Sequence, residues 1–148
     1  NQERKPYQVV DIAGVFDLFH IGHLNLLRRA KEMCDYLIVG VVTDEGVRIN
    51  KRVEPYVPFT ERIEMIRACK YVDEAVEIPF GYAGTRDAFR KYHFDVQFSG
   101  SDYETDPNWL QEKLFLEKHG ASMVFFPYTQ STSSTMLKAA IDKRIEKE

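Results

Sequence analysis

The chain has 148 residues, 44% of them hydrophobic and 29% charged, a balance that suits one globular domain and excludes both a disordered chain and two ordinary domains. The formal net charge of −3 argues against non-specific nucleic-acid binding, which draws on a basic surface, yet a few cations and backbone amides suffice for a single nucleotide. No apolar run approaches the ~20 residues that span a bilayer, and Asn1 to Pro6 carry no signal-peptide core, so a cytoplasmic protein is expected.

In chain order, Gln8 to Val15 is dense in Val and Ile and reads as a buried strand. A helix over His23 to Cys34 places Leu26, Leu27, Ala30, Met33 and Cys34 on one face. A second buried strand, Tyr36 to Thr43, leads into a polar loop that carries Lys51, Arg52, Pro55 and Pro58. Thr60 to Lys70 is helical, with Ile63, Ile66 and Cys69 on its apolar side and Thr60 as N-cap. The shorter strands Ala75 to Ile78, Asp95 to Ser99 and Ser122 to Phe126 alternate with helices over Gly84 to Tyr92 and Asn108 to His119. Gly120 supplies the stop of the latter. The last helix runs from Ser134 to about Glu146, with Leu137, Ala140, Ile141 and Ile145 at helical spacing. Cys34 and Cys69 lack CxxC or metal-ligand spacing, and both are expected as buried thiols.

Strand and helix alternating in this way, without hairpin signals, predict an α/β fold: one Rossmann-like domain with a five-stranded parallel sheet flanked by helices on both faces. Its expected extent is 1–148, equally compatible with a domain cut from a longer chain. Ligands of such sheets collect beyond the carboxyl ends of the strands, which directs attention to the strand-to-helix loops.

The first of these loops runs from Gly14 through Val15, Phe16 and Asp17 to His20, Gly22 and His23. Gly14 ends a strand where backbone amides can face an anion, and the helix beginning near Gly22 points its free amides the same way. His20 and His23, three apart, fall on one side of a first helical turn, and Gly22 between them permits close approach of a bulky ligand. Two imidazole donors beside free amides suit a chain of phosphates, where they stabilise charge on a departing bridging oxygen. Metal ligation by Asp17, His20 and His23 is the weaker reading, because zinc would want a further His or Cys.

At these residues the chain resembles the cytidylyltransferase family of the HxGH nucleotidyltransferase superfamily. The similarity continues through Tyr36 to Glu45, Pro58 to Glu74, Ser99 to Tyr103 and Ser133 to Lys138, in order along nearly the whole chain. The resemblance implies His20, His23, Lys51 and Arg62 as catalytic residues, with Lys51 bridging the reacting phosphates and Arg52 as its substitute. It also implies nucleotide contacts from Ala13, Gly14, Val15, Phe16, Asp17, Gly22, Asp102, Tyr128, Thr129, Ser133, Ser134 and Thr135. Asp102 would read the base, and the hydroxyl-rich run at the start of the last helix would hold the outer phosphates. Magnesium would be bound through the triphosphate and not by side chains. Members of the family are commonly dimers, so a homodimer is expected by resemblance.

The departure lies at Tyr128. CDP-alcohol enzymes of the family typically read RTEGIST here, with an arginine on the phosphates; this chain has Tyr128, Gln130 and Ser131 in place of the arginine, the acidic residue and the glycine. An arginine's bidentate charge has no substitute in a phenol. The leading expectation is therefore transfer of a cytidylyl group from CTP to a phosphorylated small alcohol, with pyrophosphate released. An adenylyltransferase acting with ATP on a sugar phosphate or similar acceptor is the alternative, since such members also lack that arginine. A nucleotide-binding module without catalysis is the third reading.

Overall fold

A computed structural model of the chain describes residues 5–78, 85–100, 107–126 and 134–147. Among them are β1 (Tyr7–Gly14), α1 (Ile21–Glu32), β2 (Cys34–Val42), α2 (Asp44–Lys51), α3 (Phe59–Ala68) and β3 (Glu74–Ile78). They are followed by α4 (Thr85–Tyr92), β4 (Val96–Gly100), α5 (Pro107–Lys118), β5 (Ser122–Phe126) and α6 (Ser134–Lys147). The strands form one sheet in the order β3-β2-β1-β4-β5, and every pairing is parallel.

The register explains the core. Ala75, Val39, Ile12, Phe98 and Val124 stand in one row across the five strands. With Val10, Leu37, Val41 and Val96, this row meets Leu27 and Ala30 of α1 and Ile63 and Ile66 of α3. Side chains alternate along a strand, so the intervening residues face the other way. There Ala88 of α4 and Leu116 of α5 close over Phe94, Ala121 and Met123. Both faces of the expected sheet are thus covered. One polar chain crosses the second face: Thr85 donates to Gln97 at 2.7 Å, and Gln97 donates to the buried Asp11 at 3.3 Å. Burial pushes the Asp11 carboxyl up to about 7.

Strand order reverses between β1 and β4, and their carboxyl ends, Gly14 and Gly100, lie at the same level of the sheet. This is the switch point at which an open parallel sheet leaves a crevice for ligands.

Several expected boundaries change. The polar loop after the second strand contains a helix, α2, which places Lys51 at a helix end and Arg52 in the left-handed region at φ 58°. Its signals are local: the Thr43 hydroxyl accepts from the Gly46 amide, Asp44 and Glu45 sit in the first turn, and Val47 is buried. Pro58, not Thr60, is the N-cap of α3. Cys34 is the first residue of β2 and fully buried, while Cys69 caps α3 and is half-buried, so neither belongs to a helix interior. Gly120 ends α5 with φ 85°, as its position after the helix predicts.

Candidate active site

The loop after β1 is shaped by close packing and backbone strain. A side chain on Gly14 would come within 3.0 Å of the Phe16 ring, so glycine lets that ring fold back against the strand end. Phe16 and Leu18 both lie in the left-handed region, at φ 56° and 52°. Such conformations in bulky residues persist only where the surroundings impose them, and they concentrate at functional sites.

What imposes them is a pair of buried charges. Asp17 is 2% exposed and accepts the amides of Tyr56 and Val57 at 2.8 and 2.9 Å, with the Lys138 ammonium at 3.1 Å. Burial alone would raise its pKa; these donors outweigh burial and hold the carboxyl below the usual range. Arg62 is 1% exposed. It donates to the carbonyls of Val57, Val15 and Val42 at 2.8, 2.8 and 2.7 Å, and to the Asp44 carboxylate at 2.7 Å. Asp44 in turn accepts the Phe59 amide at 3.0 Å. The segment at Tyr56 and Val57 is therefore gripped from both sides: Asp17 takes its N–H groups and Arg62 takes its carbonyl. Four of the five donors of Arg62 are committed to protein acceptors.

The two histidines cap their own helix. His20 is the N-cap of α1, and its Nδ1 accepts the Gly22 amide at 2.9 Å. His23, at the third helical position, accepts the His20 amide on its own Nδ1 at 3.3 Å. This is a capping box built from imidazoles instead of a hydroxyl and a carboxylate. The rings lie 4.1 Å apart and tilted by 32°, with Phe16 and Phe19 each 5.4 Å from His23. Burial lowers the pKa of His20. His23 is lowered to about 4, chiefly by burial and then by the neighbouring His20, with Asp17 opposing. Both rings are neutral at pH 7. With Nδ1 accepting, the proton of each sits on Nε2, so the cap selects the tautomer and leaves two N–H donors for a ligand.

Ala13 is exposed on β1, and Val15 is half-buried with its carbonyl on Arg62. The carboxylate of Asp17 is turned into the protein, so only its backbone is available to a nucleotide. Lys51 ends α2, and Ser134 and Thr135 begin α6, with their side chains outside the described residues. Asp102, Tyr128, Thr129 and Ser133 lie outside the described residues altogether. Among the described residues no three His, Cys, Asp or Glu side chains converge on a common point. Three residues enter that sequence reasoning did not single out: Asp44, Tyr56 and Lys138. Only Asp44, following the cap residue Thr43, had a local signal.

The chain is similar to known proteins along most of its length. Residues 12–140 match the family described as cytidylyltransferase-like. FAD synthase of Thermococcus kodakarensis is 36% identical, over 98% of this chain and 96% of its own length. Glycerol-3-phosphate cytidylyltransferase of Staphylococcus aureus is 34% identical, over 84% of this chain and 88% of its own. Among solved structures, a lipopolysaccharide core biosynthesis protein of Thermoplasma volcanium superposes with a TM-score of 0.68 at 25% identity, covering 85% of this chain and 99% of that one.

Proposed function

The chain belongs to the cytidylyltransferase-like family, and from that premise we propose that it is a nucleotidyltransferase that moves an adenylyl group from ATP to a phosphate monoester, with riboflavin 5′-phosphate as acceptor and FAD as product. The chemistry rests on one observation, the reciprocal histidine cap that presents two neutral Nε2–H donors at a helix N-terminus. The choice of ATP is supported by the near end-to-end similarity to an FAD synthase and by Tyr128 in place of the cytidylyltransferase arginine. Cytidylyl transfer to a small phospho-alcohol is the second reading, favoured by the similarity to a glycerol-3-phosphate cytidylyltransferase.

In the proposed reaction an oxygen of the acceptor phosphate attacks the α-phosphorus of the triphosphate. The bond from that phosphorus to the α–β bridging oxygen breaks, and pyrophosphate leaves with its electron pair. The attacking oxygen is already anionic, so no general base is required. His20 and His23 donate hydrogen bonds to the oxygen on which charge develops, and their low proton affinity makes them donors without making them acids. Arg62 acts at one remove: it holds the histidine loop, the end of β2 and the segment before α3 in register. Lys51, at the end of α2, is the cation proposed to bridge the two phosphates. Magnesium would be held through the triphosphate and not by side chains of this chain, and when bound it would neutralise charge on the leaving pyrophosphate.

Pyrophosphate release is measured with ATP and CTP, each against riboflavin 5′-phosphate, glycerol 3-phosphate, phosphoethanolamine and phosphocholine. ATP with the flavin phosphate is expected to give release and a dinucleotide product. Release with CTP alone replaces this reading with the second, and nucleotide binding without any release points to a module that has lost catalysis.

A further inference from the structure

The last helix is fastened at two points, once to the histidine loop and once to the segment between α2 and α3. Lys138 and Asp142 are four residues apart in α6 and share one face of it. The Lys138 ammonium lies 3.1 Å from Asp17 Oδ2, and the Tyr56 hydroxyl donates to the Asp142 carboxylate. The same ammonium stands 5.7 Å from the centre of the Tyr56 ring. Asp17 is buried and Lys138 only partly so, at 2% and 29% side-chain exposure. The carboxylate therefore meets the ammonium in a setting where solvent screens the pair less than on an open surface.

Asp17 is the point where three segments meet. It belongs to the histidine loop, its oxygens take the amides of Tyr56 and Val57 just after α2, and its cation comes from α6. Lys138 lies four residues beyond the first residue of α6, a rise of about 6 Å, so the pair fixes where the start of that helix stands relative to the imidazoles. We propose that Lys138 is a positioning residue: its ion pair with Asp17 docks α6 so that the first turn of the helix and the Nε2–H groups of His20 and His23 engage the same phosphate chain. The proposal rests on the nucleotidyl-transfer reading for the identity of that ligand. A cation that neutralises a buried carboxylate and sets a helix against a loop acts through geometry, so its loss weakens the grip on phosphate without removing a reacting group.

The test uses the whole chain and two probes, inorganic pyrophosphate with magnesium in titration calorimetry and the KM of the triphosphate in turnover. Lys138→Met is expected to weaken pyrophosphate binding and to raise the triphosphate KM, each about tenfold, with the acceptor KM within about twofold. Lys138→Arg is expected to recover most of the loss. Combining Asp17→Asn with Lys138→Met is expected to lose no more than the worse single change. A purely structural role would lower thermal stability and leave both constants where they were, and that result overturns the proposal. Losses that multiply in the double variant overturn it too. Should Lys138→Met fail to fold, Tyr56→Phe removes the second tie alone, with a smaller rise in KM, about threefold, expected; no rise refutes the docking. A wild-type chain that binds no pyrophosphate overturns the proposal outright. One that binds pyrophosphate but releases none from any substrate pair overturns the proposed function, and calorimetry still decides the role of Lys138.

Discussion

Replacing His20 by asparagine separates two tasks that one imidazole performs. Its Nδ1 caps α1 by accepting the Gly22 amide at 2.9 Å, while its Nε2–H is the donor assigned to the phosphate chain. An asparagine oxygen is among the best N-caps, so His20→Asn is expected to keep the helix start and to match the wild type in urea denaturation. His20→Ala loses the cap, a cost of about 1 kcal/mol. The other half of the box, the His20 amide on His23 Nδ1, is made by backbone and survives both changes. Turnover divides the variants differently. Each lacks the Nε2–H donor, so each is expected to lose about 100-fold or more in pyrophosphate release, the scale of removing one donor to a developing oxyanion. Stability and turnover are read on the same preparations. Near-normal turnover in His20→Asn would refute the assignment of His20 to the phosphate chain, and an alanine variant as stable as the asparagine one would refute the cap.

Further predictions concern the charged groups inside the fold. His23 has a folded pKa of about 4 against an unfolded 6.5, so its contribution to stability is present above pH 6.5 and lost as the pH falls towards 4. Asp11, raised from 3.8 to about 7, works in the opposite sense: its contribution is present below pH 3.8 and lost as the pH rises through 7. Asp11→Asn is therefore expected to be more stable than wild type at pH 8 but not at pH 4, and to steepen the rise of melting temperature between pH 4 and 6.5; an unchanged pH profile refutes it. Arg62→Lys is expected to destabilise by about 3 kcal/mol and not to restore activity, because one ammonium cannot serve the four acceptors now bonded to a planar guanidinium; denaturation curves overlying wild type contradict this. Cys34 is fully buried and its thiol pushed up to about 11, so a thiol reagent is expected to label Cys69 first in the native chain, and mass spectrometry showing early labelling of Cys34 refutes that burial.

Much of this molecule is legible along the chain because much of it is local. Periods of two and of three to four residues mark the strands and helices. The spacing of His20 and His23 places two imidazoles in one helical turn, and the resulting cap is a contact across two or three residues. Alternation of strands and helices sufficed for a parallel sheet covered on both faces, and the order of motifs sufficed for the family. The segment of the short helix α2 reads as a polar loop: Thr43, Asp44 and Gly46 carry local helix signals, but among its described residues Val47 is the one buried hydrophobic side chain.

What only the tertiary structure decided is how the loop is held and which charges are spent in holding it. Asp17 reads as a candidate ligand in the sequence, yet its oxygens bond to amides 39 and 40 residues away and to Lys138. Arg62 at the start of a helix reads as a cation facing phosphate, yet it is buried on carbonyls, one of them 47 residues away. No short window along the chain contains both partners of the Asp17 bonds or of the bond from Arg62 to Val15, and residue type alone does not say whether a charge meets a ligand or a backbone. The imidazoles were legible because their geometry is set within one turn. Their tautomer is set by the same local cap, but their lowered proton affinity follows from burial, which exists only once the sheet has brought distant segments together.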